Sequence, residues 1–444
     1  MFEHRKTKRT AQILAGVAVG LQLLLGPVLV LAAPGQLSGL RQLVATSTPV
    51  ATSTPAVTST PAVTITPVVS ITPQAALVRV LSSSHLQASW FAPAFLTQVS
   101  LAQVEQVIEA LKAQLGLYRK TAAEQDGSYR VSFARGTVQA RIHLDDQGRI
   151  DGLLFTNAHF TYLSRSAALA GLKSLPGHVS VLVLANGSPH VAVNADASLA
   201  VGSSFKLAVM AALKQRIAAH QLSWQQQIAL KASDKSLPSG ILQTRPVGSR
   251  YTISEVARSM ISISDNTAAN MLIRVVGRSA IDPLIPRRDR PLLSTREVFI
   301  LKAPANHDLV VRFLAASTPS QRLAVLNAVD RRPLPSPRVL NRLLERGPLV
   351  PQIEYFFTAR QLCGLMGQVS ELPQMSVNPG VAARPDWTHV AFKGGSEAGV
   401  INLTTMATSH SGRTQCVSAT WNNASNLDEG RFEQLYSSLL HSFH

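Results

Sequence analysis

Three short polar pieces, far apart in the chain, constrain its fold more than any other feature: Ser203-Ser204-Phe205-Lys206, Ser264-Asp265-Asn266 and Lys393-Gly394-Gly395-Ser396. Each supplies groups that make chemical sense only beside the others, so the fold has to bring them together. On a helix, residues three apart lie on one face, which puts the Lys206 amine beside the Ser203 hydroxyl. A serine hydroxyl is a weak nucleophile and needs a base. A lysine serves as that base only when desolvation or a nearby cation lowers its pKa. The S-x-x-K spacing occurs once, in a chain with 11 lysines against 31 arginines.

The other two pieces complete an acyl-transfer set. Ser264 is placed to carry a proton from Lys206 to a leaving nitrogen, and Asn266 to donate to a substrate carbonyl. The ordinary alternative is a loop that caps a helix over Thr267–Val275. Lys393 reads as a strand-edge cation that holds a substrate carboxylate and tunes Ser264. Gly394 and Gly395 let the backbone approach a ligand closely. The Ser396 and Ser203 N–H groups together would form an oxyanion hole, helped by the helix N-terminus expected at Ser203.

The chain begins with Arg5, Lys6, Lys8 and Arg9, followed by an uncharged stretch from Ala11 to Ala33. That pattern is a signal peptide or an uncleaved membrane anchor over 1–33; either puts the remainder outside the cytoplasm. Pro49, Pro55, Pro61, Pro67 and Pro73 then recur every six residues, each preceded by Thr. Such sequence lacks core-forming pattern and reads as a stalk over 34–76.

Folded sequence is expected from Leu77. Ser100 and Gln103 form a capping box before the helical spacing of Leu101, Val104, Val107, Ile108, Leu111 and Leu115. Strands follow at Tyr129–Phe133, Thr137–Leu144 and Ile150–Phe155, with Asp145 and Asp146 in a turn. This makes a small α+β domain over 77–158. The second domain, 159–444, has strands at Val179–Leu184 and His190–Asn194 around an Asn186-Gly187 turn. Helices follow, then strands at Val390–Phe392, Val400–Thr404 and Thr414–Thr420, and a last helix over Glu429–His441. Strands at both ends with helices between imply one sheet built from distant parts of the chain.

Composition narrows the partners. The formal net charge is +17; the first 33 residues contribute four Lys/Arg and one Glu, so 17 − 3 leaves +14 without them. A basic surface outside the cytoplasm suits an anionic cell-wall polymer or a membrane surface, and not nucleic acid. Twelve Lys/Arg against five Asp/Glu lie between Arg287 and Arg346. The only cysteines are Cys363 and Cys416; two buried thiols are favoured over one disulfide. The histidines show no ligand spacing, His441 and His444 fall in a tail read as disordered, and no metal or cofactor is expected. A monomer is expected.

At Ala200–Met210, Ser236–Gln243, Ile261–Arg278 and Lys393–Val400 the chain resembles the class A β-lactamase superfamily. It is similar to the two-domain members that carry a small nuclear-transport-factor-like or steroid-isomerase-like domain ahead of the hydrolase domain, among them a β-lactamase-like protein of clavulanic acid biosynthesis. The resemblance covers roughly 77–444. It implies an α/β sandwich of helices against an antiparallel sheet, with the site between the helical part and a sheet edge. It also implies Ser203 as nucleophile, Lys206 as general base, Ser264 as proton shuttle, and Asn266, Lys393, Gly395 and Ser396 as substrate contacts.

Three departures bear on activity. The family carries a glutamate that activates the deacylating water, with an asparagine four residues on. Here the candidate is Glu297, followed at that distance by Leu301, and its flanks read as a helix start where an acid is welcome anyway. Gly394 replaces a hydroxyl residue, and Glu397 brings a negative charge close to where an anionic substrate would lie. The third is the long basic stretch before the last motif. The expectation is an exported serine acyl-hydrolase acting on a β-lactam or a related amide or ester. An esterase, a penicillin-binding D,D-peptidase and a non-catalytic wall-associated module are the alternatives.

Overall fold

The computed structural model describes Leu29–Ala32 and residues 71–336, 338–340 and 351–444. Most of the leader, the Thr/Pro repeat up to Ser70, and Arg342, Glu345 and Arg346 of the basic stretch lie outside the described residues. Among the described residues no helix is long and apolar enough to cross a membrane. The described chain falls into two compact units, one within Pro27–Ala158 and one spanning His159–His444.

In the first unit, strand β1 (Leu29–Ala32) is followed by helix α1 (Pro73–Ser82). Thr72 caps α1, accepting from the Ala75 N–H at 3.2 Å, and Pro73 takes the first helical position. The last Thr-Pro of the repeat is thus a helix start rather than stalk. Thr supplies the cap oxygen, and Pro has no N–H to leave unpaired. Helices α2 (Pro93–Gln98) and α3 (Leu101–Leu115) follow, the latter opened by the reciprocal Ser100–Gln103 capping box. Strands β2 (Tyr118–Ala123), β3 (Tyr129–Phe133), β4 (Gly136–Leu144) and β5 (Ile150–Phe160) complete a sheet of order β1-β5-β4-β3-β2. The apolar stripe of α3 is buried, as are Val131, Val138, Leu153 and Phe155 of the sheet. β2 reads Tyr-Arg-Lys-Thr-Ala-Ala and buries none of its residues, so it lacks the alternation that announces a strand. Asp145 is a turn residue: its Oδ1 accepts from the Gln147 and Arg149 N–H groups.

The second unit opens with α4 (Arg165–Lys173), β6 (His178–Ala185), β7 (Ser188–Val193) and β8 (Leu199–Ala200). Asn186 and Gly187 both have positive φ, 48° and 81°, as a two-residue type I′ hairpin turn requires. A 3₁₀ turn, Gly202–Phe205, leads into α5 (Lys206–Ala218). Next come the short pair β9 (Gln227–Ala229) and β10 (Arg250–Thr252), then α6 (Ile253–Ser262), α7 (Asn266–Val276), α8 (Arg278–Ile281), α9 (Thr295–Lys302), α10 (His307–Ala315) and α11 (Pro319–Val329). The chain ends with β11 (Phe356–Phe357), α12 (Ala359–Val369), β12 (His389–Glu397), β13 (Val400–Thr408), β14 (Thr414–Asn422) and α13 (Glu429–His441).

The main sheet has the order β12-β13-β14-β6-β7, antiparallel at every pairing. Its strands come from both ends of the unit. Alternation sorts their side chains: Val181 and Val183 of β6 pack with Leu172 of α4 and with Phe432, Leu435 and Tyr436 of α13, while Leu182 faces Cys363 of α12. The larger core lies among α5, α6, α7, α9 and α12. Residues Leu207 to Leu213 of α5 are all buried, the pattern of a helix surrounded by others.

Two expectations fail here. Cys363 and Cys416 form a disulfide, with Cα atoms 5.9 Å apart, that ties α12 to β14. Nothing in a separation of 53 residues reveals which helix packs on which strand, so the pairing was not readable from spacing. The chain end is also ordered. His441 stacks on Tyr162 with ring centroids 4.0 Å apart and lies 3.0 Å from Asp386, and His444 meets the edge of Trp387. Closing a 53-residue loop restricts the unfolded chain by roughly 4 kcal/mol in the chain-entropy model. Denatured protein treated with iodoacetamide should therefore gain no carbamidomethyl group without reductant and two with it, by intact mass. Cys363→Ala should lower the melting temperature.

Candidate active site

The three motifs converge. Ser203 lies in the 3₁₀ turn and Lys206 is the first residue of α5, so the α-helix starts after the serine rather than at it. The spacing still works, because residues i and i+3 eclipse in a 3₁₀ turn. Lys206 Nζ is 3.1 Å from Ser203 Oγ. It also lies 2.6 Å from the Ser264 carbonyl oxygen, 3.1 Å from Ser264 Oγ and 2.7 Å from Asn266 Oδ1.

These four oxygens are compatible with a neutral amine. A carbonyl and an amide oxygen only accept, whereas the two hydroxyls can donate. A neutral amine has two N–H bonds for the two obligate acceptors and a lone pair left for a hydroxyl proton. The electrostatics agree: burial first, then the positive Lys393, drives the Lys206 pKa well below its ordinary value, offset in part by Asp265 and Glu397. No carboxylate bonds it directly.

The second motif is held by its own loop. Ser264 adopts a left-handed φ of 55°, which turns its hydroxyl between two amines: Lys206 Nζ and Lys393 Nζ each lie 3.1 Å from Oγ. Asp265 is structural. Its Oδ1 caps α7 through the Ala268 N–H, and its Oδ2 accepts from the Ile241 and Leu242 N–H groups. A Cβ at Gly240 would strike that carboxylate, so the neighbouring loop can close only on glycine. Asn266 opens α7. Besides meeting Lys206, it donates through Nδ2 to the Leu237 carbonyl at 2.7 Å, leaving its second amide N–H for a ligand.

The third motif lies on β12, an edge strand of the main sheet. A Cβ at Gly395 would overlap the Val201 carbonyl oxygen and the Ser203 nitrogen, and would lie 2.7 Å from the Ser204 nitrogen. Only glycine lets β12 run this close to the Ser203 turn. One built on Gly202 would come within 3.2 Å of the Ser396 nitrogen. The Ser203 and Ser396 N–H groups are therefore brought to one place. Lys393 is buried, donates to Ser264 Oγ and to the Gly394 carbonyl, and its pKa is lowered by burial to about 7.

One oxygen of Glu297 is occupied elsewhere. Its Oε2 accepts from the Ser294 N–H at 2.6 Å, closing the capping box of α9, and pairs with Arg278. Burial raises its pKa, with Arg278 opposing. Its Oε1 is buried with no hydrogen-bond partner among the described residues, and its Oε2 bonds neither Ser203 nor Lys206. The α9 residue that touches the site is Thr295, whose Oγ1 meets the Asn266 carbonyl at 3.1 Å, Asn270 Oδ1 at 2.9 Å and Ser236 Oγ at 2.9 Å. Glu397 is not a free negative charge either, since it pairs with the buried Lys302. Sequence reading missed Thr295, Lys302 and Glu354, because nothing local marks partners that only folding brings together.

A sequence model described as the Beta-lactamase enzyme family matches residues 164–335, a segment that includes Ser203, Lys206 and Ser264 but ends before Lys393. The matched segment is β-lactamase-like. Among solved structures, the β-lactamase of Sphaerobacter thermophilus aligns at 21% identity and a TM-score of 0.43, over 62% of this chain and 93% of its own. A β-lactamase from Chitinophaga pinensis aligns at 18% and 0.40, over 62% and 97%. A protein titled PBP-A aligns at 14% and 0.41, over 63% and 98%. No curated protein matches the chain in sequence.

The state of Lys206 has a measurable consequence. With its pKa depressed, the amine is charged and inert at low pH and becomes a base as pH rises through that lowered value. The rate at which a neutral fluorophosphonate labels Ser203 should rise with pH and level off well before pH 10.5, the ordinary lysine value. Lys206→Met should slow labelling by about 100-fold or more. A rate still climbing above pH 10 would sink this reading of Lys206.

Proposed function

We propose that the second unit is a serine acyl-transfer enzyme of the β-lactamase-like type. It is acylated at Ser203 by a β-lactam or a related amide or ester. The observation that carries this reading is the buried Lys206 amine, whose two obligate acceptors leave its lone pair for a hydroxyl. In the first step Lys206 takes the Ser203 proton while Oγ attacks the carbonyl carbon. The resulting oxyanion is received by the Ser203 and Ser396 N–H groups. Lys206 then returns a proton through Ser264 Oγ to the leaving nitrogen or oxygen, the C–N or C–O bond breaks, and the acyl-enzyme remains. Asn266 and Lys393 hold the amide and carboxylate of the substrate.

Release of the acyl group needs a base for water, and Oε2 of Glu297 is bound up with Arg278 and its helix cap. This favours slow deacylation, a penicillin-binding behaviour, over rapid turnover. Incubation with penicillin should give a stoichiometric adduct by intact mass that lasts for many minutes and is absent in Ser203→Ala. Glu297→Gln should change its decay rate less than about threefold, against the roughly 100-fold or greater loss expected for a general base. A wild-type adduct that decays within seconds, and persists in Glu297→Gln, would overturn the assignment.

A second reading, an esterase, is favoured by the burial of Lys393, which lowers its pKa to about 7. At neutral pH it is only partly charged, and it loses its charge as pH rises. Selectivity for a substrate bearing a carboxylate over its neutral ester should therefore fall as pH increases from 6 to 8. The kcat/KM ratio of a matched pair measures it.

The remaining features extend this reading. Helices followed by an antiparallel meander in Pro27–Ala158 fit a nuclear-transport-factor-like domain. The basic leader and the Cys363–Cys416 bond fit export to an oxidising compartment. The exposed arginines between Arg287 and Arg338 fit an anionic wall polymer or membrane surface.

A further inference from the structure

One buried charge cluster has no part in the acyl-transfer scheme. Lys302, the last residue of α9, pairs with both Glu354 and Glu397. The Lys302 and Glu354 side chains are 6% and 2% exposed, and that of Glu397 is 19% exposed. Burial, which alone would lower the lysine, is outweighed by the two carboxylates, and its pKa rises. Glu354 is also pushed up, by burial first and then by Glu397. The ammonium and the two carboxylates offset part of one another's charge, which lowers the cost of burying them.

The position of the cluster matters more than its charge. Glu397 directly follows Ser396, one of the two oxyanion donors. By strand alternation Lys393, Gly395 and Glu397 share a face of β12, and Gly395 is the residue pressed on the Ser203 nitrogen. Glu354 directly precedes Tyr355. That residue flanks the other donor on both sides: its carbonyl accepts from the Val201 N–H at 2.9 Å, and its ring stacks on Phe205 at 3.7 Å. Ser203 lies between Val201 and Phe205. The far end of α9 reaches the same site through Thr295 and the Asn266 carbonyl.

We propose that Lys302 is a positioning residue: by holding Glu397 and Glu354 together it clamps β12, which carries one oxyanion-hole donor, to the Tyr355 segment that braces the turn carrying the other, and so sets their separation. The two donors come from a sheet edge and a turn that share no covalent frame. β12 is anchored to β13 on one side only, so something must fix its other side. A misplacement of about 1 Å in such a site costs on the order of 100-fold in rate. The inference rests on the proposal that Ser203 is the nucleophile.

The test uses the full chain with Lys302→Met, and the triple variant Lys302→Met, Glu354→Gln, Glu397→Gln, which leaves no unpaired buried charge. Ser203 modification by a fluorophosphonate and by penicillin is timed by mass. The acyl carbonyl is followed by isotope-edited infrared spectroscopy. We expect the triple variant to fold, by its thermal transition, and to react about 10- to 100-fold more slowly. Its half-saturating reagent concentration should stay near the wild-type value. Its acyl carbonyl band should move to higher frequency, because the oxygen is less polarised. A folded triple variant that reacts at the wild-type rate with an unshifted band overturns the clamp while leaving Ser203 as nucleophile. Wild-type protein inert to both reagents refutes the nucleophile itself, and the clamp with it.

Discussion

The site depends on a lysine amine buried without a carboxylate partner. An ammonium ion in that position would be expensive to desolvate, and the chain does not provide the usual remedy. Instead it surrounds Lys206 with the Ser264 carbonyl, the Asn266 amide oxygen and two hydroxyls. These are neutral partners that suit a neutral amine. The second lysine, Lys393, reinforces this, because its charge is among the causes that depress Lys206. The strained Ser264 conformation follows from the same need: a left-handed φ presents both its carbonyl and its hydroxyl to Lys206. Such strain is kept only where surrounding contacts over-determine it, and here Asp265 does so by fixing the loop on both sides.

What was legible in the sequence is what depends on neighbours in sequence. The capping box at Ser100, the Asn186-Gly187 hairpin and the helix after Ser264 each rest on bonds spanning a few residues, and all appear. The Ser203–Lys206 contact was legible for the same reason, though the turn is 3₁₀ and not α. The convergence of the three motifs came from their chemistry rather than from any local pattern. What stayed hidden depends on long-range packing. Lys302 and Glu397 are 95 positions apart, and α12 meets β14 only because both cover the same sheet. β2 was invisible because its side chains do not alternate between core and solvent. Glu297 shows the converse: an acid three residues after a serine reads as a cap, and in the structure it is one.

Glycine carries more of the site than its lack of a side chain suggests. Gly395 is the point where the sheet edge and the Ser203 turn touch, and any Cβ there would push the two apart by overlapping the Ser203 nitrogen. The contact therefore has no side-chain packing to hold it. The ties that hold the strand there lie to either side of Gly395: Lys393 donating to Ser264 on one, Glu397 paired with Lys302 on the other. A polar site built at a glycine contact needs such flanking ties, and in this chain both are ionic or charge-assisted.

That arrangement also bears on the fate of an acyl-enzyme. In the proposed scheme acylation uses groups already joined: Ser203, Lys206 and Ser264 form a continuous chain of hydrogen bonds. Hydrolysis of the acyl group needs a further base aimed at a water. The α9 residue bonded to the Asn266 carbonyl is Thr295, whose hydroxyl is engaged by Asn270 and Ser236, while the acid two positions later turns to Arg278. The contacts that make α9 a stable helix thus engage Oε2 of its carboxylate, and in the proposed scheme this favours forming an acyl-enzyme over discharging one.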